Sequence, residues 1–357
     1  MDILTSYGAC ESFYSEAALY PDWRLARITA QHKGLYKAIT SQGEILAGIS
    51  GKFRHAATAL AHYPAVGDFV MLRLPNGNVG HAVIHHVLTR KSAFTRAAVG
   101  LEGQTQIVAA NIDIVFICMS LNNDYNPSRL ERYLSVAWDS RALPVILLTK
   151  SDLCADPSPF LNAISTIAPG VDVLTTSLKA PASYDGLRSY LKPGVTASFI
   201  GSSGVGKSTL VNILLGNEVL RTSHVGQNDK GNHTTTHREL LLLPQGGIVI
   251  DTPGMRELGV ESPNLSQSFA DITAIIRQCR FDDCTHGAEP GCAVKEALQT
   301  GRLEERRFAN YQKLQREARY RGLSSRQLET EKLNEMFKDI GGIKKARAFI
   351  RNNDKRR

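Results

Sequence analysis

No stretch of eighteen apolar residues occurs in this 357-residue chain, which excludes a conventional transmembrane helix. The opening, MDILTSYGAC, has neither the basic start nor the apolar core of a secretory leader. Cys10 follows Gly-Ala, but without those flanks it is no lipoprotein site. Cysteine is sparse, with six residues, too few for a disulfide scaffold in a chain this long. There is no internal repeat and no long low-complexity tract, so solenoids and disordered arrays are set aside. These absences point to a cytoplasmic protein without membrane contact. Excess charge is also missing from most of the chain. The formal net charge is +8, yet Arg302–Arg357 alone holds 17 Lys/Arg against 8 Asp/Glu. The basic character belongs to the C-terminal segment, and a polyanionic partner would meet it there.

What is present suffices for two or three domains with real cores. Residues 1–30 show no clear pattern. Between Gly34 and Arg96 the chain reads as short β-strands at Leu35–Thr40, Ile45–Ser50, Asp68–Leu74 and His81–Leu88. Turn signals separate them, Pro75-Asn76-Gly77-Asn78 being the strongest. That spacing predicts a small β-barrel such as an OB-fold. From Ile107 the pattern becomes α/β. Ile112–Met119, Val145–Thr149, Val171–Thr175, Ala197–Ile200 and Ile248–Asp251 read as strands, with helices at Ser128–Arg141, Phe160–Ala168, Tyr184–Leu191 and from Lys207. The alternation predicts a doubly wound parallel sheet. Beyond Ser262 the chain reads as helical, with basic helices at Leu303–Arg321 and Ser325–Phe337. The expected division is 1–100 (N-terminal segment and barrel), 101–262 (α/β domain) and 263–357 (helical domain with a basic tail).

The stretch GSSGVGKST comprises Gly201, Ser202, Ser203, Gly204, Val205, Gly206, Lys207, Ser208 and Thr209. It matches a phosphate-binding loop in full, with a strand before and an apolar helix after. Glycines let successive N–H groups turn toward phosphates, and the helix N-terminus adds its positive dipole end. Lys207 is placed to reach the β- and γ-phosphates and Ser208 to ligate Mg²⁺. Such a loop does not choose between ATP and GTP.

Base choice falls to Thr149, Lys150, Ser151 and Asp152, at the end of the second α/β strand. Thr-Lys-x-Asp resembles the guanine motif Asn-Lys-x-Asp. A carboxylate at Asp152 can accept from guanine N1–H and its amino group, a donor pair adenine lacks. The Lys150 stem would cover one ring face. Thr149 departs from Asn but can still hydrogen-bond and hold loops together. A second loop, Thr175–Lys179, resembles the Ser-Ala-Lys loop that contacts the guanine oxygen, with Ser177 at the matching position.

Asp251-Thr-Pro-Gly254 ends a further apolar strand. Asp251 would hold Mg²⁺ through water, and the Gly254 N–H would sense the γ-phosphate. The polar stretch Gly226–His237 reads as a switch in which one of Thr234, Thr235 and Thr236 ligates Mg²⁺, with Thr235 taken as the candidate. The position where many GTPases carry a water-orienting Gln is Met255. His233 is the candidate for that task, beside Lys207 and Asp251 in the catalytic set, and slow intrinsic hydrolysis is expected. Three of the six cysteines sit with a histidine as Cys279-x₄-Cys284-x-His286-x₅-Cys292. Three thiolates and an imidazole form a closed structural zinc set, with no open position for catalysis.

The motif order is unusual, because both base-reading loops precede the phosphate loop and Asp251–Gly254 comes last. A cut moved along the chain leaves the sheet unchanged, since each motif still lies at a strand's carboxyl end. On Thr149–Asp152, Gly201–Thr209, His233–Thr236, Asp251–Glu257 and the Cys/His cluster, the sequence resembles the ribosome small subunit-dependent GTPase A family, also called RsgA, YjeQ or EngC. The resemblance spans residues 30–320. It implies an N-terminal OB-fold, a circularly permuted GTPase domain and a C-terminal zinc domain. It further implies GTP/GDP with Mg²⁺, one zinc ion, late maturation of the small ribosomal subunit with binding to its rRNA, and hydrolysis stimulated by that subunit. A monomer is expected. The alternative from another class is a GTP-gated RNA-binding scaffold in which hydrolysis is incidental.

Overall fold

The computed structural model describes residues 2–32, 34–75, 80–98, 104–122, 124–217, 238–251, 265–287, 289–320 and 325–336. Two short helices, α1 (Ile3–Ser6) and α2 (Glu11–Ala17), lead into β1 (Arg24–His32), β2 (Leu35–Thr40) and β3 (Gly43–Ile49). Helix α3 (Gly51–Ala56), β4 (Phe69–Arg73) and β5 (Ala82–Val87) follow. The strands run in the order β1-β2-β3-β5-β4, and β4 pairs back with β1, closing a barrel. Only β3 and β5 are parallel among these neighbours. This is the OB-fold arrangement, as the spacing of short strands predicted. Ile28, Tyr36, Val70, Leu72 and Ile84 fill the interior. The unpatterned first thirty residues supply α1, α2 and most of β1. Leu4 and Phe13 cover the barrel's outer face, where Phe13 stacks on Phe69 at 4.1 Å.

A two-stranded ribbon, β6 (Ala93–Ala97) with β7 (Thr105–Ala110), links the barrel to the α/β part. Next come β8 (Ile114–Ser120), α4 (Pro127–Ser140), β9 (Leu143–Thr149), α5 (Ser158–Ile167), β10 (Val173–Thr175), α6 (Asp185–Tyr190) and β11 (Thr196–Gly201). Then follow α7 (Lys207–Leu215), β12 (Glu239–Leu242) and β13 (Ile248–Asp251). The sheet order is β10-β9-β8-β11-β13-β12. The first five strands are mutually parallel. Strand β12 is antiparallel to β13 and was not foreseen. It also pairs with β1 through Ala30 and Glu239, so barrel and central sheet form one eleven-stranded sheet.

Strand β8 is buried along its whole length and shows the winding. Val115, Ile117 and Met119 enter one core with Leu130 and Leu134 of α4 and Ile164 of α5. Ile114, Phe116 and Cys118 enter another with Leu187 of α6 and Leu210 and Leu214 of α7. Alternation at period two thus places helices on both faces. Helix α4 starts where Asn126 accepts from the Arg129 N–H with Pro127 behind it, and stops at left-handed Arg141.

The helices α8 (Leu265–Ser268), α9 (Ala270–Ile276), α10 (Ala293–Gln299), α11 (Glu305–Tyr320) and α12 (Ser325–Met336) are the last of the described elements. Phe269, Ile272, Val294 and Leu314 join the α4 side of the first core. Among the described residues no helix is long and apolar enough to cross a membrane.

Candidate active site and metal centre

Parallel strands bring their carboxyl ends to one edge of the sheet. The loops after β8, β9, β10 and β11 and the end of β13 therefore gather there, although they come from distant parts of the chain. Connections from β8 run toward β10 on one side and from β11 toward β13 on the other. The crevice between β8 and β11 is thus the topological switch point where open α/β sheets bind ligands.

The phosphate loop follows β11. Gly201 has φ +151°, and a Cβ there would lie 2.5 Å from the Cys118 carbonyl oxygen, so only glycine fits. Gly204 and Gly206 also have positive φ, and Gly206 caps α7. Val205 is buried, while Ser203 and Gly204 are exposed at the loop crest. Lys207 folds back over the loop, its Nζ donating to the carbonyls of Gly201 (2.8 Å) and Ser202 (2.6 Å). An ammonium in that place lies at the centre of the amide-lined turn, and Ser208 and Thr209 open the helix beneath it. Asp251 ends β13, next to β11 in the sheet. Burial pushes its carboxyl above the ordinary range, Lys207 pulls it back, and Glu239 adds to the rise.

The base-side loops meet the phosphate loop through Thr149. Its buried hydroxyl donates to the Val205 carbonyl at 2.7 Å. Threonine, standing where the motif has Asn, therefore makes the inter-loop bond. Lys150 follows in the left-handed conformation, φ 56°. The turn at Ser151 is pinned by its N–H donating to the Thr176 carbonyl. Asp152 Oδ1 accepts from the buried Ser177 hydroxyl at 2.8 Å, and Oδ2 lies 3.5 Å from Lys179 Nζ. The Ser177 bond above all, with Lys179 behind it, holds the Asp152 carboxyl below the usual carboxylate range. A fixed carboxylate thus stands on one side of the crevice and an amide-lined turn on the other.

Two partners were not read from sequence. Asp124, after β8, accepts from Ser202 Oγ at 2.8 Å and pairs with Arg129 at 3.1 Å. Ser183 accepts from the Ser177 N–H at 3.0 Å and fixes the second base-side loop. The only available signal for Asp124 was its place at a strand's carboxyl end. His233, Thr234, Thr235, Thr236, Gly254 and Met255 lie outside the described residues.

The cysteine–histidine set comes together as predicted. Ligand atoms of Cys279, Cys284, His286 and Cys292 all lie within 4.8 Å of one another. His286 Nδ1 is 3.6 Å from the sulfurs of both Cys279 and Cys292. Zinc–sulfur and zinc–nitrogen bonds of about 2.3 and 2.05 Å at the tetrahedral angle give an S···N edge of about 3.6 Å, so the spacing is compatible with that ion. Glu289 braces the loop, accepting from the N–H groups of Thr285 (3.0 Å) and Gly287 (2.8 Å). His286 needs φ 63° to turn inward, and Cys292 caps α10 through the Lys295 N–H.

The fold and this site define a P-loop GTPase whose chain is circularly permuted. The sequence profile of the RsgA GTPase family matches residues 87–261. The chain belongs to that family and is a GTP-hydrolysing enzyme. It is 48% identical over 335 residues, 94% of either chain, to Small ribosomal subunit biogenesis GTPase RsgA 2 of Lactiplantibacillus plantarum. It is 43% identical to Small ribosomal subunit biogenesis GTPase RsgA of Opitutus terrae, covering 88% of this chain and 87% of that one. Among solved structures, YjeQ from Thermotoga maritima superposes with TM-score 0.62 at 29% identity, over 83% of this chain and 98% of that one. The circularly permuted GTPase YloQ shares the fold with TM-score 0.59 at 24% identity, over 83% of this chain and 95% of that one.

Proposed function

We propose that this enzyme couples GTP hydrolysis to late maturation of the small ribosomal subunit, which it engages through rRNA as a cytoplasmic monomer. The observation that carries this is near-full-length similarity to a protein named for small-subunit biogenesis. The basic C-terminal segment supports an RNA contact, since Lys and Arg displace phosphate counterions. In this reading residues 1–100, 101–262 and 263–357 act as barrel, GTPase and zinc domain.

Asp152 takes guanine's N1–H and amino donors, Lys150 covers the ring, Ser177 and Thr149 hold the carboxylate and the loops in place. The backbone from Gly201 to Thr209 surrounds the phosphates, and Lys207 leaves its two loop carbonyls to meet the β- and γ-oxygens. Ser208, Thr235 and Asp251 are the groups suited to hold Mg²⁺, which when bound neutralises charge on the β- and γ-phosphates. Gly254 senses the γ-phosphate, and His233 orients the water. Cys279, Cys284, His286 and Cys292 hold a structural zinc ion, whose bond energy contributes to folding the segment between α9 and α10.

The test is GTP turnover by the purified protein with and without purified small subunits. Strong stimulation is expected. Turnover that is already high alone, or unchanged by subunits, favours the scaffold alternative. In parallel, Asp152→Asn should lose its preference for GTP over ATP in competition binding.

A further inference from the structure

A second cavity is lined by residues of the barrel and shares none with the switch-point site; α3 and the segment after it face β5 across it. Its volume is about 750 Å³, within the range of small-ligand sites. Trp23, Phe53, Val87 and Leu88 give it aromatic and aliphatic walls, while Lys52 and His85 bring nitrogen to it. The aromatic wall is braced. His86, Tyr20, Trp23 and His85 form a continuous ladder of rings with centroid separations of 4.7, 5.3 and 4.8 Å. The Tyr20 hydroxyl and His86 Nε2 are hydrogen-bonded at 3.0 Å. A wall fixed in this way loses little side-chain entropy when a flat ring packs on it.

No Asp or Glu is among the cavity's lining residues. Lys52 is exposed, and among the described residues no carboxylate pairs with it. Arg90, by contrast, is committed to Asp68 and to the carbonyls of Ala61 and Tyr63. An acyl chain would gain nothing from the histidines, and an acidic peptide would need a reason for so flat a wall. A planar heterocycle carrying a phosphate uses both features.

We infer that this pocket takes one unpaired nucleotide, its base on Phe53 against the edge of the ring ladder and its phosphate at Lys52. The inference deepens the RNA reading above and rests on it. The nucleotide can come from a single-stranded RNA segment or be free in solution, and the experiment separates these sources.

Trp23 is one of two tryptophans in the chain, so Trp138→Phe leaves it as sole reporter. Its fluorescence is titrated in the full-length protein with a ten-nucleotide oligo(A), the same length of abasic oligomer, and AMP. Oligo(A) is expected to quench saturably and the abasic oligomer not to, because the base makes the contact. Phe53→Ala should weaken oligo(A) by about tenfold, the scale of one lost stacking contact. Lys52→Glu should weaken it too, and should flatten the log–log salt slope by about 0.7 for one lost phosphate contact. A purely structural role for Lys52 would not move that slope. Binding of AMP as tight as oligo(A) would assign the site to free nucleotide. No saturable quenching by either, quenching indifferent to both substitutions, or displacement by an acidic aromatic peptide but not by RNA would overturn the inference. If small subunits still stimulate GTP turnover in that case, the proposed function stands without this pocket.

Discussion

Ser177 shows how much a single hydroxyl decides. It is buried, donates to Asp152 and accepts from the Lys179 N–H at 3.0 Å, so its orientation is fixed from both sides. Asp152 itself stays open to solvent, and the bond from Ser177 is the largest reason its acid is strengthened. In the proposed guanine site recognition needs the Asp152 carboxylate form, so affinity should be lost as pH falls through its pKa. A depressed pKa places that loss below the ordinary carboxylate range. Ser177→Ala should therefore move the acid limb of GDP binding to higher pH while leaving affinity at pH 8 less affected. Calorimetric titration between pH 4 and 8 checks this, and a limb that stays in place or moves down would show that Ser177 does not set it. Gly201 is the opposite kind of residue, because no substitution can satisfy its φ or the Cys118 carbonyl beside it.

Between elements, the seam joining α4 to α11 carries a buried ionic cluster. Glu131 on α4 has no exposed surface and accepts from Arg307 at 2.9 Å, from Arg306 at 3.3 Å and from Asn310. Arg307 also forks onto Asp271 of α9, with both contacts at 2.8 Å. Burial raises the Asp271 carboxyl, but the Arg307 bond and charge overcome this and hold it below its usual value. That contribution is present above the ordinary carboxylate range and fades as pH falls through the lowered pKa. Arg307→Met should cost about 3–5 kcal/mol, because Glu131 then stays buried with less compensation. Urea unfolding at pH 7 measures it, and a loss below about 1 kcal/mol would mean the cluster relaxes around the gap. Elements also differ in how far a local stretch of sequence specifies them. Glycine spacing in Gly201–Gly206 and the Cys279–Cys292 pattern are local, and both were legible because backbone conformation and ligand geometry constrain neighbours in the chain. Fully buried β8 announced itself as an apolar run. Strand β1 did not, since Arg24 and Arg27 interrupt its pattern and Arg27 is buried for tertiary reasons. Strand β12 is only four residues and acquires meaning from its two neighbours. The Ser202–Asp124 bond joins residues 78 apart, beyond any motif.

At the scale of the molecule, the barrel and the GTPase sheet are joined by more than a linker. The bridge at Ala30 and Glu239 continues one sheet into the other. Beneath it the fully buried Arg27 donates to Gly67 O (3.2 Å) in the barrel, Tyr7 O (2.6 Å) after α1, Asn111 O (3.1 Å) before β8 and Thr196 Oγ1 (3.0 Å) on β11. One guanidinium thus satisfies acceptors from the N-terminal helices, the barrel and the central sheet, and its planar fork matches that arrangement where lysine could not. Its removal leaves several buried oxygens without a donor, at about 1–3 kcal/mol each before relaxation. The cost should concentrate at the junction, because Arg27 points away from the barrel interior of Ile28, Val70 and Ile84 and packs over Phe69 on the barrel's outer face. Arg27→Met should therefore change the form of unfolding as well as its midpoint. Scanning calorimetry of the parent protein should give one transition for barrel and GTPase together, raised as a whole by GDP. The variant should give two, of which only the upper responds to GDP through binding to the native GTPase domain. A single GDP-responsive transition in the variant would place the coupling in the β1–β12 bridge and not in Arg27. Because this junction ties the barrel to the sheet that carries the phosphate loop, nucleotide state should not shift the barrel relative to that sheet.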